Sequence, residues 1–159
     1  MTNFVIYKTE FAYFRITYCE NSILSIQITE EATDFGIPNL TTENVRMQLE
    51  EYFVGIRYKF DLPFLLIGTE FQKKVWNTLS QIPYGETRTY KEIAMMVGNP
   101  MAVRAVGAAS NKNPMHILLP CHRVVGSNGN LVGYAAGLER KRKLLEMECL
   151  YKSKMLNNQ

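Results

Sequence analysis

The chain has 159 residues, 47% of them hydrophobic, which suits one globular unit or two small packed domains rather than a disordered chain. Its longest apolar runs, such as residues 64–68 and 117–119, are far shorter than the roughly 20 residues needed to cross a bilayer, so we expect no membrane partner. Eighteen Lys and Arg against 15 Asp and Glu leave a net charge of only +3, so attraction to a polyanion requires local clustering of bases.

The three cysteines, Cys19, Cys121 and Cys149, are widely spaced and form none of the close Cys/His clusters that bind structural zinc. We therefore predict no metal site, and we predict no cofactor. Unpaired thiols and the lack of a secretory-signal pattern favour a cytoplasmic location.

The first part of the chain has the pattern of a small sheet. Residues 3–28 are rich in Phe, Tyr, Ile and Thr with short alternating stretches, which predict a meander of half-buried strands. Turn formers at 36–39 end it, and apolar residues at helical spacing predict a helix over residues 42–53. Strand-like sequence follows over residues 58–67. We predict a β-rich domain with one helix over residues 1–66.

Helical patterns dominate the rest of the chain, and we predict a second domain over residues 67–159. Thr69 is the predicted cap of its first helix, and Thr89 is the predicted cap of a helix over residues 90–97. After a sharp Gly-Asn-Pro turn, residues 102–110 form another predicted helix. Two short helices about a tight turn indicate a helix-turn-helix.

A short apolar strand is predicted over residues 117–119, and it continues into residues 120–125. The proline before Cys121 would place that cysteine at the stiff end of the strand. A glycine-containing loop follows, and the last helix is predicted from residue 137 to about residue 151.

A thiol next to an imidazole is the most reactive pair in this sequence, because imidazole can take the proton of sulfur and the resulting thiolate is the nucleophile. Both histidines, His116 and His122, lie near Cys121 in sequence, and the cationic neighbour Arg123 would favour the thiolate. A lone cysteine is also commonly an inert buried side chain, so the spacing alone leaves both interpretations open.

Glu148 adds a possible third member to this pair. It follows Leu144 by four residues and Leu145 by three, so it shares the inward face of the last helix. A buried carboxylate needs a partner, and His122 is the natural candidate for a Cys-His-Glu arrangement. The alternative is a glutamate near the helix end that bends outward to solvent.

Four segments of the second domain form a specific pattern: Ile82-Pro83-Tyr84-Gly85 to Tyr90, Asn113-Pro114, Pro120-Cys121-His122-Arg123-Val124 and Gly133-Tyr134-Ala135. The pattern resembles the methylated-DNA-protein-cysteine methyltransferases, the 6-O-alkylguanine repair proteins, over nearly all of residues 70–150. This resemblance implies an α+β fold. It further implies a small sheet-plus-helix N-terminal domain of ribonuclease H-like type, followed by a mostly helical, winged helix-turn-helix-like C-terminal domain that carries the active site.

The resemblance implies catalytic roles for five residues. Cys121 looks like the residue that accepts the alkyl group, His122 like the one that receives the thiol proton through a bridging water, and Glu148 like the one that fixes the imidazole tautomer. Tyr90 matches the position credited with donating a proton near a ring nitrogen of the leaving guanine. Asn113 matches the hinge before the nucleophile segment, where structural and functional roles for its amide stay open.

The implied reaction moves a methyl or other alkyl group from the exocyclic oxygen of 6-O-alkylguanine, and of 4-O-alkylthymine, in DNA to Cys121. The product is a thioether, which water does not cleave as it cleaves a thioester, so each protein molecule acts once. The implied partner is double-stranded DNA, bound by a monomer in the minor groove. Because a stacked base cannot reach a buried thiol, the damaged nucleotide must flip out of the duplex.

Four residues match DNA contacts of the family. Arg104 matches the finger that fills the vacated stack, and its helix consists mostly of small residues that suit entry into the minor groove. Lys91, Asn99 and Ser127 match positions beside the DNA backbone. The alternative is an alanine-rich helix packed against the core with a solvated arginine.

The guanine pocket is expected to consist of Val132, Gly133, Tyr134, Ala135 and Ala136. Backbone groups there can read the flipped base, and Tyr134 offers a flat wall. Ala136 replaces a glycine of many relatives, Ala135 resembles bacterial members, and His116 stands where several relatives have proline. These departures bear on the size of the alkyl group that the pocket accepts.

Three rival functions remain to be separated. A non-catalytic alkyltransferase-like protein would bind lesions and recruit other factors, but those relatives replace the nucleophile and Cys121 is intact here. A transcription regulator would need polar side chains for the major groove, and residues 102–109 offer almost none. A thiol hydrolase would turn over many times.

Overall fold

The computed structural model describes residues 1–158. Its contacts divide the chain into two units. The first consists of residues 1–67 together with residues 114–116, and the second consists of residues 68–113 and the chain from residue 117 onward. The predicted second domain ends at Gln159, which lies outside the described residues.

An antiparallel three-stranded sheet is the main element of the first unit. Its strands are β1 (Thr2–Lys8), β2 (Tyr13–Cys19) and β3 (Ser22–Thr29), which pair in that order. Every second residue of β2 is buried, as strand geometry requires when one face of a sheet is covered. Helix α1 (Leu40–Phe53) contacts β3 and contributes the fully buried Leu49 to the core. The predicted meander and helix are both present.

Helix α1 begins two positions before the predicted start because Asn39 caps it. The Asn39 side chain accepts the backbone N–H of Thr42 at 2.8 Å, and the Thr42 hydroxyl accepts the backbone N–H of Asn39 at 2.9 Å. This reciprocal pair is a capping box, which satisfies two otherwise unpaired N–H groups. The sequence analysis interpreted Asn39 only as a turn former.

The strand predicted over residues 58–67 is wrong. This stretch meets β3 through one isolated bridge, between Ile23 and Phe64. The backbone N–H of Ile23 donates to the carbonyl of Pro63, and that of Leu65 donates to the carbonyl of Ile23, both at 2.9 Å. The composition of residues 58–67 favours a strand. However, proline has no N–H group to donate to a neighbouring strand, so the pairing does not continue through Pro63.

The second unit, described as far as residue 158, is mostly helical. Thr69 and Thr89 cap its first two helices with capping boxes, as predicted. The first helix packs on the third, where the indole N–H of Trp76 donates to the carbonyl of Ala109 at 2.8 Å. The elements are α2 (Glu70–Leu79), β4 (Arg88–Thr89), α3 (Tyr90–Met96), α4 (Val103–Asn111), a 3₁₀ turn (Cys121–Arg123), β5 (Val124–Val125) and α5 (Leu138–Asn157).

The strand predicted over residues 117–119 is also wrong, so Cys121 begins the 3₁₀ turn instead of ending a strand. Ile117 has a φ of +73°, in the left-handed region that β-branched residues rarely adopt, and this interrupts the extended run. Strand pairing starts only after the turn, where β5 pairs in parallel with β4. Cys121 is therefore held by a tight turn followed by a short paired segment.

Helix α5 follows Gly137 and runs to Asn157, beyond the predicted end at residue 151. Its inward face buries Lys141, Leu144 and Glu148 completely. No helix within residues 1–158 is both long enough and apolar enough to span a membrane.

Residues 114–116 pair with β3 and so belong to the first unit. The carbonyl of Pro114 accepts the N–H of Ile26 at 2.8 Å, and the N–H of His116 donates to the carbonyl of Ile26 at 2.8 Å. The ring Nδ1 of His116 accepts the N–H of Ile28 at 3.1 Å. The division into units thus differs from the single boundary after residue 66 that the sequence predicts. The His116 ring hydrogen-bonds the backbone of β3.

Candidate active site

Cys121 is one wall of a cavity of about 470 Å³ within the second unit. The residue is only 5% exposed. The other walls come from Tyr90, from α4 and from the loop before α5. The lining residues are Tyr90, Val103, Gly107, Ala108, Ser110, Asn111, Cys121, Val132, Gly133, Tyr134 and Ala135. This volume falls in the range of roughly 300–1,000 Å³ that is typical of small-molecule sites.

Burial raises the pKa of the Cys121 thiol above its ordinary value. A hydrogen bond from the Asn113 side chain, the charge of Lys141 and backbone N–H groups of the 3₁₀ turn oppose this rise. We expected neighbouring cations to favour the thiolate; the charge of Lys141 acts in that direction, but desolvation outweighs it. Cys121 is therefore a protonated thiol at neutral pH, and it needs a base to become a strong nucleophile.

His122 and Glu148 form a buried pair, with 2.7 Å between Nε2 and Oε2 and no exposure of either residue. The contact expected from the sequence is present. Burial lowers the pKa of His122 even though Glu148 opposes this, so the imidazole is neutral at neutral pH. Nε2–H then donates to Glu148, and Nδ1 is buried without a hydrogen-bond partner within residues 1–158. Such a ring can accept a thiol proton on Nδ1.

Arg123 completes this network. Its Nε donates to Glu148 Oε1 at 2.8 Å, its Nη2 to Glu148 Oε2 at 2.9 Å and its Nη1 to the carbonyl of Ile82 at 2.8 Å. Burial by itself would raise the pKa of Glu148, but His122 and Arg123 together hold this pKa well below its ordinary value. The sequence analysis assigns Arg123 to favouring the Cys121 thiolate and misses its pairing with Glu148, because nothing local links it to a carboxylate 25 positions away.

Asn113 connects the end of α4 to the nucleophile segment. Its Nδ2 donates to the carbonyl of Leu119 at 2.6 Å, and its side chain also hydrogen-bonds Cys121. Asn113 is only 2% exposed. One amide therefore ties two backbone segments together and contacts the thiol.

Tyr90 and Lys141 meet at the loop before α5. The Tyr90 hydroxyl donates to the carbonyls of Val132 at 3.0 Å and Gly133 at 3.4 Å. Lys141 Nζ donates to the same two carbonyls, at 2.9 and 3.0 Å. Burial raises the pKa of Tyr90, with a contribution from Cys121, so the phenol is a weaker acid than tyrosine in water. Sequence reasoning missed Lys141, whose only signal was its place seven residues before Glu148 on the inward face.

The loop predicted to form the pocket contributes four of its five expected residues, 132–135, to the cavity wall. Ala136 is not among the lining residues, and its carbonyl accepts Arg140 Nη1 at 3.4 Å. Gly133 has a φ of +61°, and a Cβ there would lie 3.4 Å from the Tyr90 hydroxyl oxygen. The contact distance is an ordinary one, so it is the left-handed backbone conformation that favours glycine at this position.

The four predicted DNA contacts are all exposed. Lys91 lies on α3, Asn99 in the turn before α4, Arg104 on α4 and Ser127 in the loop after β5. Arg104 has the small exposed residues 105 and 108 on the same helix, beside the cavity-lining Gly107.

The three cysteines differ in exposure. All are free thiols, with Cys121 buried, Cys149 exposed and Cys19 intermediate. Within residues 1–158 there is no group of three or more His, Cys, Asp and Glu side chains that could hold a metal ion. Cys121 is thus distinguished from the other two cysteines by its burial and by its neighbours.

Residues 70–150 match the family model described as 6-O-methylguanine DNA methyltransferase, DNA binding domain. The matched segment is just over half of the chain. The chain belongs to this family. A methylated-DNA--protein-cysteine methyltransferase from Methanosarcina acetivorans is 60% identical over 101 residues, which are 64% of this chain and 65% of that protein. The chain thus spans about 65% of the length of this curated relative.

Solved structures extend the likeness over nearly the whole chain. The crystal structure of Mycobacterium tuberculosis O6-methylguanine methyltransferase matches with a TM-score of 0.86 and 36% identity, covering 95% of this chain and 94% of that one. A crystal structure of Mycobacterium tuberculosis OGT in complex with DNA matches with a TM-score of 0.86 and 38% identity, covering 93% of each chain. The fold is therefore α+β, with small sheets and several helices, like that of the family's methyltransferases.

All of the candidate site falls within the segment that matches the family model. The cavity-lining residues extend from Tyr90 to Ala135, and the buried network ends at Glu148. The thiol, the base and the pocket loop thus belong to the part of the chain that defines family membership.

Proposed function

We propose that this protein repairs alkylated DNA by transferring a methyl or other alkyl group from 6-O-alkylguanine, and from 4-O-alkylthymine, to Cys121. The observation that carries the proposal is a buried thiol on a base-sized cavity, next to a neutral imidazole that Glu148 holds in one tautomer. The names of the relatives point to the same chemistry.

The proposed reaction is an in-line displacement at the alkyl carbon. The Cys121 proton passes through a bridging water to His122 Nδ1, the sulfur forms a bond to the alkyl carbon, and the carbon–oxygen bond to the base breaks. The electron pair of that bond remains on the guanine, and the Tyr90 hydroxyl donates a proton near the ring nitrogen of the leaving base. The C–S bond is not hydrolysed, so each molecule reacts once.

The proposed partner is double-stranded DNA, bound through a winged helix-turn-helix made by α3 and α4. The exposure of Lys91, Asn99, Arg104 and Ser127 supports their assignment to DNA contacts. Small exposed residues on α4 support entry into the narrow minor groove, with Arg104 filling the stack that the flipped base leaves. A DNA complex of a structural relative agrees with this partner.

The flipped base would occupy the cavity beside Cys121. The backbone of residues 132–135 and the ring of Tyr134 would contact it, and Asn113 would position the sulfur. The first unit, which we propose to be of ribonuclease H-like type, would serve as a scaffold. A monomer is sufficient for this scheme, because every group assigned to the chemistry comes from one chain.

The test is a single incubation with a duplex oligonucleotide that contains 6-O-methylguanine, followed by intact mass measurement and peptide mapping. We expect the gain of one methyl group on Cys121 and restored guanine in equal amount. Cys121→Ser should gain none, whereas the matched control Cys149→Ser, which changes an exposed thiol, should react like the wild type.

Two results would contradict the proposal. Binding to the modified duplex without transfer would indicate a non-catalytic lesion-binding protein. Release of many product molecules per protein would indicate a hydrolase.

A further inference from the structure

Lys141 is a completely buried lysine beside the cavity. It is 0% exposed, although lysine is almost never fully buried without partners. Its Nζ donates to the carbonyls of Val132 and Gly133, and both residues line the cavity. The ammonium therefore lies directly behind the loop that forms the pocket wall.

The same two carbonyls also accept the hydroxyl of Tyr90. Its distances are 3.0 Å to the carbonyl of Val132 and 3.4 Å to that of Gly133. A carbonyl oxygen has two lone pairs, so it can accept both donors at once. Lys141 Nζ also lies 5.7 Å from the centre of the Tyr90 ring. In this structure the proton of Tyr90 is thus committed to the pocket loop.

The proposed reaction needs that proton elsewhere, because Tyr90 must donate it to the leaving base. If Tyr90 were the principal donor to the Val132 carbonyl, turning toward the base would leave a polar group without its partner, which carries a free-energy penalty. Lys141 removes much of this penalty, since a charge-assisted hydrogen bond remains on each carbonyl after Tyr90 has turned.

We propose that Lys141 is a positioning residue that holds the Val132 and Gly133 carbonyls, so that the Tyr90 hydroxyl can leave them and donate to the flipped base. The inference rests on the function proposed above and adds a residue to it. Lys141 acts through Tyr90 and the pocket loop, and the base does not touch it.

Burial lowers the pKa of Lys141 to about 8, with Cys121 acting in the opposite direction. His122 also experiences the Lys141 charge. An ammonium this close to the thiol could instead act directly on Cys121, whose pKa it lowers. The experiment must therefore separate an effect through Tyr90 from an effect on the sulfur.

The test compares Lys141→Met, which keeps the length of the side chain but removes its donors, in the wild-type and Tyr90→Phe backgrounds. We expect Lys141→Met to slow methyl transfer from duplex DNA by roughly 10- to 100-fold in the wild-type background. In the Tyr90→Phe background the same change should cause little further slowing, because no hydroxyl is left to release.

A second readout reports on the thiol without the base. Iodoacetamide alkylates Cys121 and needs no proton from Tyr90, so Lys141→Met should slow this reaction much less than it slows methyl transfer, by no more than the loss of the Lys141 charge near the thiol accounts for. Lys143→Met is the matched control, an exposed lysine of the same helix, and it should change neither rate. Lys141→Leu, which also lacks N–H donors, replaces the methionine variant if that variant does not fold.

The positioning role is overturned if the slowing is the same in both backgrounds, if the iodoacetamide rate falls in parallel, or if transfer from DNA is unchanged. Failure of the function itself looks different. In that case the wild-type protein, with a fully reactive thiol, removes no alkyl group from DNA.

Discussion

Glu148 hydrogen-bonds two buried residues that need it for different reasons. Arg123 and the carboxylate neutralise each other in the interior, whereas His122 uses the carboxylate to fix its Nε2 proton. Because the pKa of His122 is lowered by burial, the ring stays neutral and keeps Nδ1 available for the thiol proton. In the proposed reaction, activation of Cys121 therefore depends indirectly on Arg123.

Glu148→Gln tests this network. At neutral pH we expect a loss of about 3–5 kcal/mol in the free energy of unfolding, because the Arg123 charge is left buried without a counter-charge. A carboxyl with a lowered pKa stabilises the fold above its unfolded-state pKa of about 4.3 and loses that contribution as pH falls further. The difference between wild type and variant should therefore shrink below about pH 4.3 in urea unfolding.

Glu146→Gln is the control for this measurement, because Glu146 is exposed on the same helix. It should change the free energy of unfolding little at any pH. A difference for Glu148→Gln that stays constant from neutral to acidic pH would show that the pKa of Glu148 is not lowered by folding.

At the level of elements, α4 forms both a cavity wall and the surface proposed to enter DNA. Gly107 lies in its interior, where glycine lowers helix stability. A Cβ at this position would meet the Tyr90 ring at 4.0 Å, which is an ordinary contact. The glycine is therefore not required by packing in the free protein.

Gly107→Ala should raise the free energy of unfolding by about 0.5–1 kcal/mol, because alanine loses less backbone entropy in a helix. The added methyl group narrows the cavity beside Tyr90, so transfer of benzyl should slow more than transfer of methyl. Thermal unfolding measures the change in stability, and the rates of methyl and benzyl transfer measure the change in the cavity. A destabilised variant, or equal slowing of both groups, would contradict it.

Elements set by local chemistry could be predicted from the sequence. Helix caps depend only on neighbouring residues. Thr69 and Thr89 cap α2 and α3 at the predicted positions. The two wrong strands, at 58–67 and 117–119, had suitable side chains, but the backbone at Pro63 and at Ile117 prevented pairing. Composition does not report those backbone restrictions.

The same distinction holds for the site. Glu148 could be placed against His122, because helical spacing fixes which face of α5 is buried. Lys141 was missed although it lies on that face, since its partners are backbone carbonyls of a loop, which no side-chain pattern reveals. The raised pKa of Cys121 was missed because it depends on how completely the tertiary fold excludes water.

At the scale of the whole molecule, the net charge of +3 is too small to attract DNA without local clustering. If Lys91 contacts a phosphate, Lys91→Ala should reduce the slope of log K against log salt concentration by about 0.9. Lys59→Ala removes the same charge from an exposed position in the first unit and should leave the slope unchanged. Titrations at several salt concentrations measure both, and equal slopes for the two variants would refute the assignment of Lys91.

The pairing of residues 114–116 with β3 has a consequence for how this protein can be dissected. The chain passes from the first unit to the second at residues 67 and 68. It returns to the first unit for residues 114–116 and leaves it again just before the 3₁₀ turn of Cys121. A fragment that starts at residue 68 would keep Pro114 and His116 but lose Ile26, to which both are hydrogen-bonded. Truncation at the apparent boundary would therefore loosen the peptide that leads directly to Cys121.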